Sequence, residues 1–419
     1  MAGAQWVNGV LDRHFVRAGL EPPSGAERGP KPGAVRLRAR DPLVGPTLPE
    51  APTVAADMAL LGQRLRKLAA EAGTEIIEEV ESFEVEAEPR SGRIRSLALR
   101  REGHGSPTTV TASLFVDASG RTGAVRRHAA DLTPWCPALT RDELCSASDA
   151  HHEVADAEGA ERFLRRHSAE PGDSVTFVGV SGGFSTCAVT VSTDLTRVGI
   201  LVGCLANGRY STGPRMVADM CEREPWIGPS VASGSGVIPL RRPYARITAA
   251  GVALVGDAAC QVFPAHGSGI GIGLVAGTML AEGVAQVDDP GDPHELWSRY
   301  QAPFQRELGG DLAGYDVLRR ATTKLGGDGV DALVRSGLMG ESTTQAGLEQ
   351  RWATPPPAEA ARSALLLARN PRLAAVMVPA LARAQVLHPH AARYPARLDL
   401  DALARWERRT ARLVGPLPQ

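Results

Sequence analysis

Asp257 ends the apolar run GVALVGD, and the stretch PAHGSGIG a few residues later opens a segment of small and apolar residues at helical spacing. A continuous apolar run of this kind predicts a buried parallel strand. Ligands of open α/β sheets sit beyond the carboxyl ends of such strands, which is where Gly256 and Asp257 fall. A carboxylate there can accept hydrogen bonds from a polyol. The helix start that follows offers free N–H groups and a positive dipole end to an electron-rich group. Gly267, Gly269, Gly271 and Gly273 let a flat ligand approach the backbone closely. The chemistry implied is a bound cofactor with a hydroxylated chain and an electron-withdrawing head. The glycines of GIGLVA, Gly271 to Ala276, also fit the G-x-G-x-x-G/A pattern of dinucleotide folds. The strand ends at Asp257, well before them, so a fortuitous match in a small-residue helix is the better account.

The elements that must position this site follow from pattern. Residues 1–50 read as Pro/Gly-rich and irregular, with one strand candidate at GAVRLRAR. Leu60, Leu61, Leu65 and Leu68 share a face, which predicts an amphipathic helix from Val54 to Ala72 that Gly73 stops. Three strand candidates follow at TEIIEEVESFEVEAE, RIRSLALRR and TVTASLFVDASG. The middle of the chain, from DSVTFVGV to GILVGCLA, is β-rich with a hairpin signal at Gly182-Gly183 and reads as an antiparallel sheet. A strand near GVIPL leads back to GVALVGD. Beyond Asp289 the chain turns helical, with a break at ATPPPAEAA.

LVGDAACQVFPAHGSGIG resembles the second flavin motif of the FAD-dependent oxidoreductase superfamily, which includes aromatic hydroxylases, flavin-dependent halogenases and geranylgeranyl-reductase-like proteins. LFVDASGRTGAVRR resembles that superfamily's segment ahead of its substrate domain. The resemblance implies an α/β fold with a Rossmann-like FAD/NAD(P)-binding core. Its first part would be residues 1–132 and its second 246–290. An antiparallel substrate domain (133–245) would be inserted between them, and a helical region (291–419) would follow. It implies that Asp257 binds the ribityl chain of FAD. Pro264 and the backbone of Gly267, Ser268, Gly269 and Ile270 would lie against the isoalloxazine ring.

Two departures qualify that expectation. The family's opening strand, G-x-G-x-x-G turn, helix and ribose-binding acid have no counterpart in residues 1–50. The first βαβ unit is thus missing, and the expectation is a start codon upstream of Met1 rather than a lost grip on the ADP half of FAD. Secondly, aromatic hydroxylases carry Asp-Gly where this chain has Ser119-Gly120. The DASGR form resembles the halogenase-like and reductase-like branches, so the electron source is either NAD(P)H or a separate flavin reductase. The tryptophan-halogenase signature is absent, because Trp226 is followed by IGPS.

The leading expectation is a flavin monooxygenase or halogenase-like enzyme oxidising a small-molecule or peptide substrate with O2. The alternatives are a geranylgeranyl-reductase-type enzyme acting on an apolar chain, and a flavin-free homologue acting as a binding partner. No residue stands out as a catalytic acid or base. His151 and His152 point to opposite faces if they lie on a strand, which argues against a metal site. His266 could touch substrate or flavin, Cys260 reads as small core packing, and Arg241 and Arg242 read as surface charges or an anion contact. A formal charge of -1 gives no support for a nucleic-acid partner. No apolar run is long enough for a membrane span, no signal peptide is evident, and the six cysteines lack C-x-x-C spacing. A cytoplasmic protein with reduced thiols is expected.

Overall fold

The computed structural model describes residues 6–103, 105–352 and 355–417. Strand β1 (Val7–Leu11) runs into a short helix, α1 (Asp12–Arg17). Next come β2 (Val35–Arg38), β3 (Thr47–Leu48), β4 (Thr53–Asp57) and α2 (Met58–Glu71). The helix starts later than its periodicity predicts. Val54 pairs with Val10 of β1, and the Asp57 carboxylate accepts the amides of Ala59 and Leu60, which fixes the first turn.

A meander of β5 (Val80–Ala87), β6 (Ile94–Arg101) and β7 (Thr108–Thr111) precedes β8 (Phe115–Asp117), so TVTASLFVDASG holds two strands rather than one. The central region contains β9 (Leu144–Val154), α3 (Ala157–Arg166), β10 (Ser174–Val178), β11 (Ser185–Val191), β12 (Arg197–Leu205), α4 (Gly213–Arg223) and β13 (Ile227–Pro239). Two short strands, β14 (Thr248–Ala249) and β15 (Val252–Leu254), lead to α5 (Ile270–Val284). The rest is helical: α6 (Pro293–Leu296), α7 (Ala302–Glu307), α8 (Gly309–Arg335), α9 (Glu341–Leu348), α10 (Pro357–Arg369), α11 (Pro371–Ala391) and α12 (Leu400–Val414).

Two sheets position the site. In the smaller, β15 lies parallel to β8, with Leu254 opposite Asp117. Segments far apart in sequence thus end side by side at one edge of a core built from Phe115, Leu254, Ile272, Met279, Tyr300 and Phe304. The larger sheet has the order β13-β9-β12-β11-β10-β2-β3 and is antiparallel except where β2 joins β10. Residues 35–48 therefore sit with the large sheet and not beside β8. One face of that sheet is closed by Phe163 and Leu164 of α3 and by Met216 and Met220 of α4, packed with strand residues such as Val189, Val198 and Ile200. The strict buried/half-buried alternation of STCAVTV in β11 is the signature of this one-sided burial.

Candidate flavin site

Past Leu254 the chain enters a tight turn, Gly256–Ala259, in which Gly256 has φ of 63°. That left-handed conformation favours glycine, and the space where a Cβ would stand is open. A buried hydrogen-bond chain fixes the turn. The Gly256 amide donates to Gln261 Oε1 (2.7 Å), Gln261 Nε2 donates to the Tyr300 hydroxyl (3.0 Å), and that hydroxyl donates to the Leu254 carbonyl (2.7 Å). Tyr300 reaches this position from a π-helical segment, Trp297–Gln301, whose wider turn buries both Tyr300 and Gln301.

Asp257 projects from the turn half-buried, and its carboxylate has no hydrogen-bond partner among the described residues. Burial raises its pKa above the ordinary aspartate value. The loop beyond closes on itself: Phe263 N–H donates to the Ser268 carbonyl (2.9 Å) and Gly267 N–H to the Phe263 carbonyl (2.8 Å). The Gly267 amide is therefore engaged within the loop. The amides of Ser268, Gly269 and Ile270 have no acceptor among the described residues, and no side chain caps α5. A carboxylate lacking a donor thus stands beside amides lacking an acceptor. A Cβ built on Gly269 would come within 3.3 Å of Asp257 Oδ1. A ligand carrying hydroxyls and an electron-rich edge satisfies both groups.

These residues fit the ribityl chain and ring of a flavin. The described residues show no matching cradle for a pyrophosphate. The junction of β4 and α2 is filled by Asp57, and that of β1 and α1 begins with the acidic Asp12 and lacks a glycine turn.

No protein-family profile matches the chain. It is 25% identical over 343 residues to digeranylgeranylglycerophospholipid reductase 2 of Methanothermobacter thermautotrophicus, covering 79% of this chain and 81% of that protein. A shorter match, 28% identical over 103 residues, is to the digeranylgeranylglycerophospholipid reductase of Sulfolobus acidocaldarius, and spans 24% of this chain and 23% of that relative. In fold the chain is similar to a geranylgeranyl bacteriochlorophyll reductase-like protein of Thermoplasma acidophilum, with a TM-score of 0.66 at 16% identity over 87% of this chain and 88% of that one. The chain is thus similar to a reductase over most of its length, and its fold is that of FAD-dependent oxidoreductases. A likeness to the flavin-dependent brominase Bmp2 (TM-score 0.53, 16% identity, covering 86% and 87%) has the same fold content.

Within this superfamily fold, the segment VDASGR acts as a brace. Asp117 is buried and its carboxylate accepts from Ser119 N, Ser119 Oγ, Val125 N and Arg126 N. Arg126 then reaches across to donate to the Ala258 carbonyl at 2.7 Å, tying this loop to the Asp257 turn. The open face of the large sheet meets the other side of the site, because a Cβ on Gly267 would strike Ile238 at the end of β13. By register, Ile238 shares its face with Cys145, Ala147, Asp149 and His151 of β9. Asp149 is buried there, with His151 Nε2 3.5 Å away, and burial pushes its carboxyl up to about 6. His152 points the other way and bonds the Gly228 carbonyl.

Four other residues singled out in the sequence have defined places in the structure. His266 is held at both ring nitrogens, by Ser268 Oγ (2.8 Å) and the Gly347 carbonyl (3.1 Å). Gly347 offers only an acceptor, so Nε2 carries the proton and Nδ1 accepts from Ser268; burial lowers the ring's pKa to about 4 and keeps it neutral. It fastens the end of α9 to the loop. Arg241 and Arg242 are buried rather than on the surface, paired with Glu143 (3.3 Å) and Glu407 (3.1 Å). Cys260 is fully buried and desolvation raises its thiol to about 11, as suits a packing residue. Sequence pattern pointed to neither Gln261 nor Tyr300, since their roles depend on a contact across 39 residues.

Proposed function

We propose that this chain is a flavin-dependent reductase of double bonds in an apolar, isoprenoid-type chain. The observation that carries the reading is the match over most of both chains to a digeranylgeranylglycerophospholipid reductase. The oxygen-using alternative, a monooxygenase or halogenase, rests on fold likeness alone. Bound flavin would supply the hydride chemistry. The protein's own residues would position and enclose. Asp257 would accept from a ribityl hydroxyl, and the amides of Ser268, Gly269 and Ile270 would face the ring. Asp117, Arg126, Gln261 and Tyr300 would hold the two strand tips in register. Ile238 and Leu240 lie against the loop at Gly267 and would keep water from it.

The test is anaerobic incubation of flavin-loaded protein with a geranylgeranyl lipid, using dithionite as reductant. This choice makes the result independent of whether NAD(P)H or a separate flavin reductase is the natural donor. The expected product gains one pair of hydrogens per double bond. A product formed only in air, with oxygen or halogen incorporated, would overturn the reading.

A further inference from the structure

Helices α10 and α11 carry exposed apolar side chains that the other described residues leave uncovered. α11 buries Leu373, Met377, Ala380, Ala384 and Leu387 in a cluster with α8. At about 100° per residue, Ala375, Val378, Ala382 and Val386 fall on the opposite side. Val378 is 50% exposed and Val386 39%, and Leu381 beside them is 38% exposed. Leu365 of α10, the helix packed beside α11, is 53% exposed. A soluble helix normally presents charge on its outer face, and this one presents aliphatic side chains.

The charged residues from Arg362 to Arg397 are all of one sign, and the acidic Glu359 stands at the start of α10. Between Glu359 and Asp399 the sequence holds Arg362, Arg369, Arg372, Arg383, Arg393 and Arg397 and no aspartate or glutamate. Arg362, Arg369 and Arg372 are exposed and make no salt bridge with a described residue. Arg372 and Arg383 lie along one edge of the apolar stripe. An aliphatic face rimmed by unpaired arginines is complementary to a layer that is apolar within and anionic at its surface. No described helix is long and apolar enough to cross a membrane, so contact would be at the surface.

We infer that the α10–α11 surface docks the protein on an anionic lipid bilayer. Its arginines lie at the headgroups, and Leu365, Val378, Leu381 and Val386 enter the acyl boundary. The inference does not depend on the flavin site, and flavin binding serves as its folding control.

The experiment is co-sedimentation of the full chain with phosphatidylcholine vesicles, with and without phosphatidylglycerol. Binding should be at least about ten-fold stronger to the anionic vesicles and should fall steeply in high salt. Val378→Glu and Leu365→Glu should each abolish it while flavin content and the unfolding midpoint stay at wild-type values. Arg369→Gln should weaken it by about five-fold, the worth of one arginine near such a surface. Equal binding to both vesicle types would overturn the inference. So would a dimer in light scattering that Val378→Glu dissociates, because the surface would then belong to a second copy.

Discussion

Asp117 and Asp257 follow neighbouring parallel strands, and the two environments are opposites. Asp117 ends β8, is buried, and accepts four hydrogen bonds from its own loop. Asp257 lies just past β15, is half-buried, and accepts none from the described residues. Both cost desolvation, but only one is compensated within the chain. The contrast separates a carboxylate that builds the strand tip from one whose desolvation no described residue offsets.

Asp117→Ala should show the largest effect. It leaves buried amides at Val125 and Arg126 without an acceptor, and should cost about 3 kcal/mol or more in urea unfolding. A loss below about 1 kcal/mol would erase the contrast. Next comes Gln261→Leu, which removes the acceptor of the Gly256 amide and the donor to Tyr300. It should destabilise by about 2 kcal/mol and loosen the Asp257 turn, read as weaker flavin binding as well as a lower unfolding midpoint.

Asp149 sharpens the comparison as a buried carboxylate with one distant imidazole partner. Its folded pKa of about 6 lies above the unfolded value, so the folded state binds the proton more tightly. Its contribution to stability is present below about pH 4 and is lost as pH rises through about 6. Asp149→Asn should therefore gain on the order of 1–3 kcal/mol over the wild type between pH 4 and pH 7.5. A pH-independent difference between the two proteins would contradict this. Asp257→Asn should show the smallest effect on the flavin-free protein, with stability unchanged or slightly raised at neutral pH, because no internal partner is lost.

The strand, aspartate, glycine loop and helix of the candidate site were legible in sequence because each is a local pattern. The run VALVGD and the spacing of PAHGSGIG need no distant contact to be recognised. What escaped depends on pairings that local pattern does not encode. β2 joins β10 across most of the central region, and β1 pairs with β4 and delays the start of α2. The π-helical segment that delivers Tyr300 breaks the 3.6-residue period. Arg241 and Arg242 look like surface residues until Glu143, just before β9, and Glu407 of α12 come to them. The turn from Phe263 to Ser268 engages the Gly267 amide internally, a pairing that the glycine spacing does not encode.

The central claim is that Asp257 is held without a partner for the sake of a flavin. The measurement that tests it most directly is flavin titration of the wild type and Asp257→Asn, with apo stability measured alongside. Exchanging a charge-assisted hydrogen bond for one to a neutral amide oxygen, a difference of about 1 kcal/mol, predicts flavin binding weaker by roughly five-fold, with unfolding midpoints equal or higher in the variant. Unchanged flavin affinity, or an apo protein destabilised as Asp117→Ala is expected to be, would contradict the account.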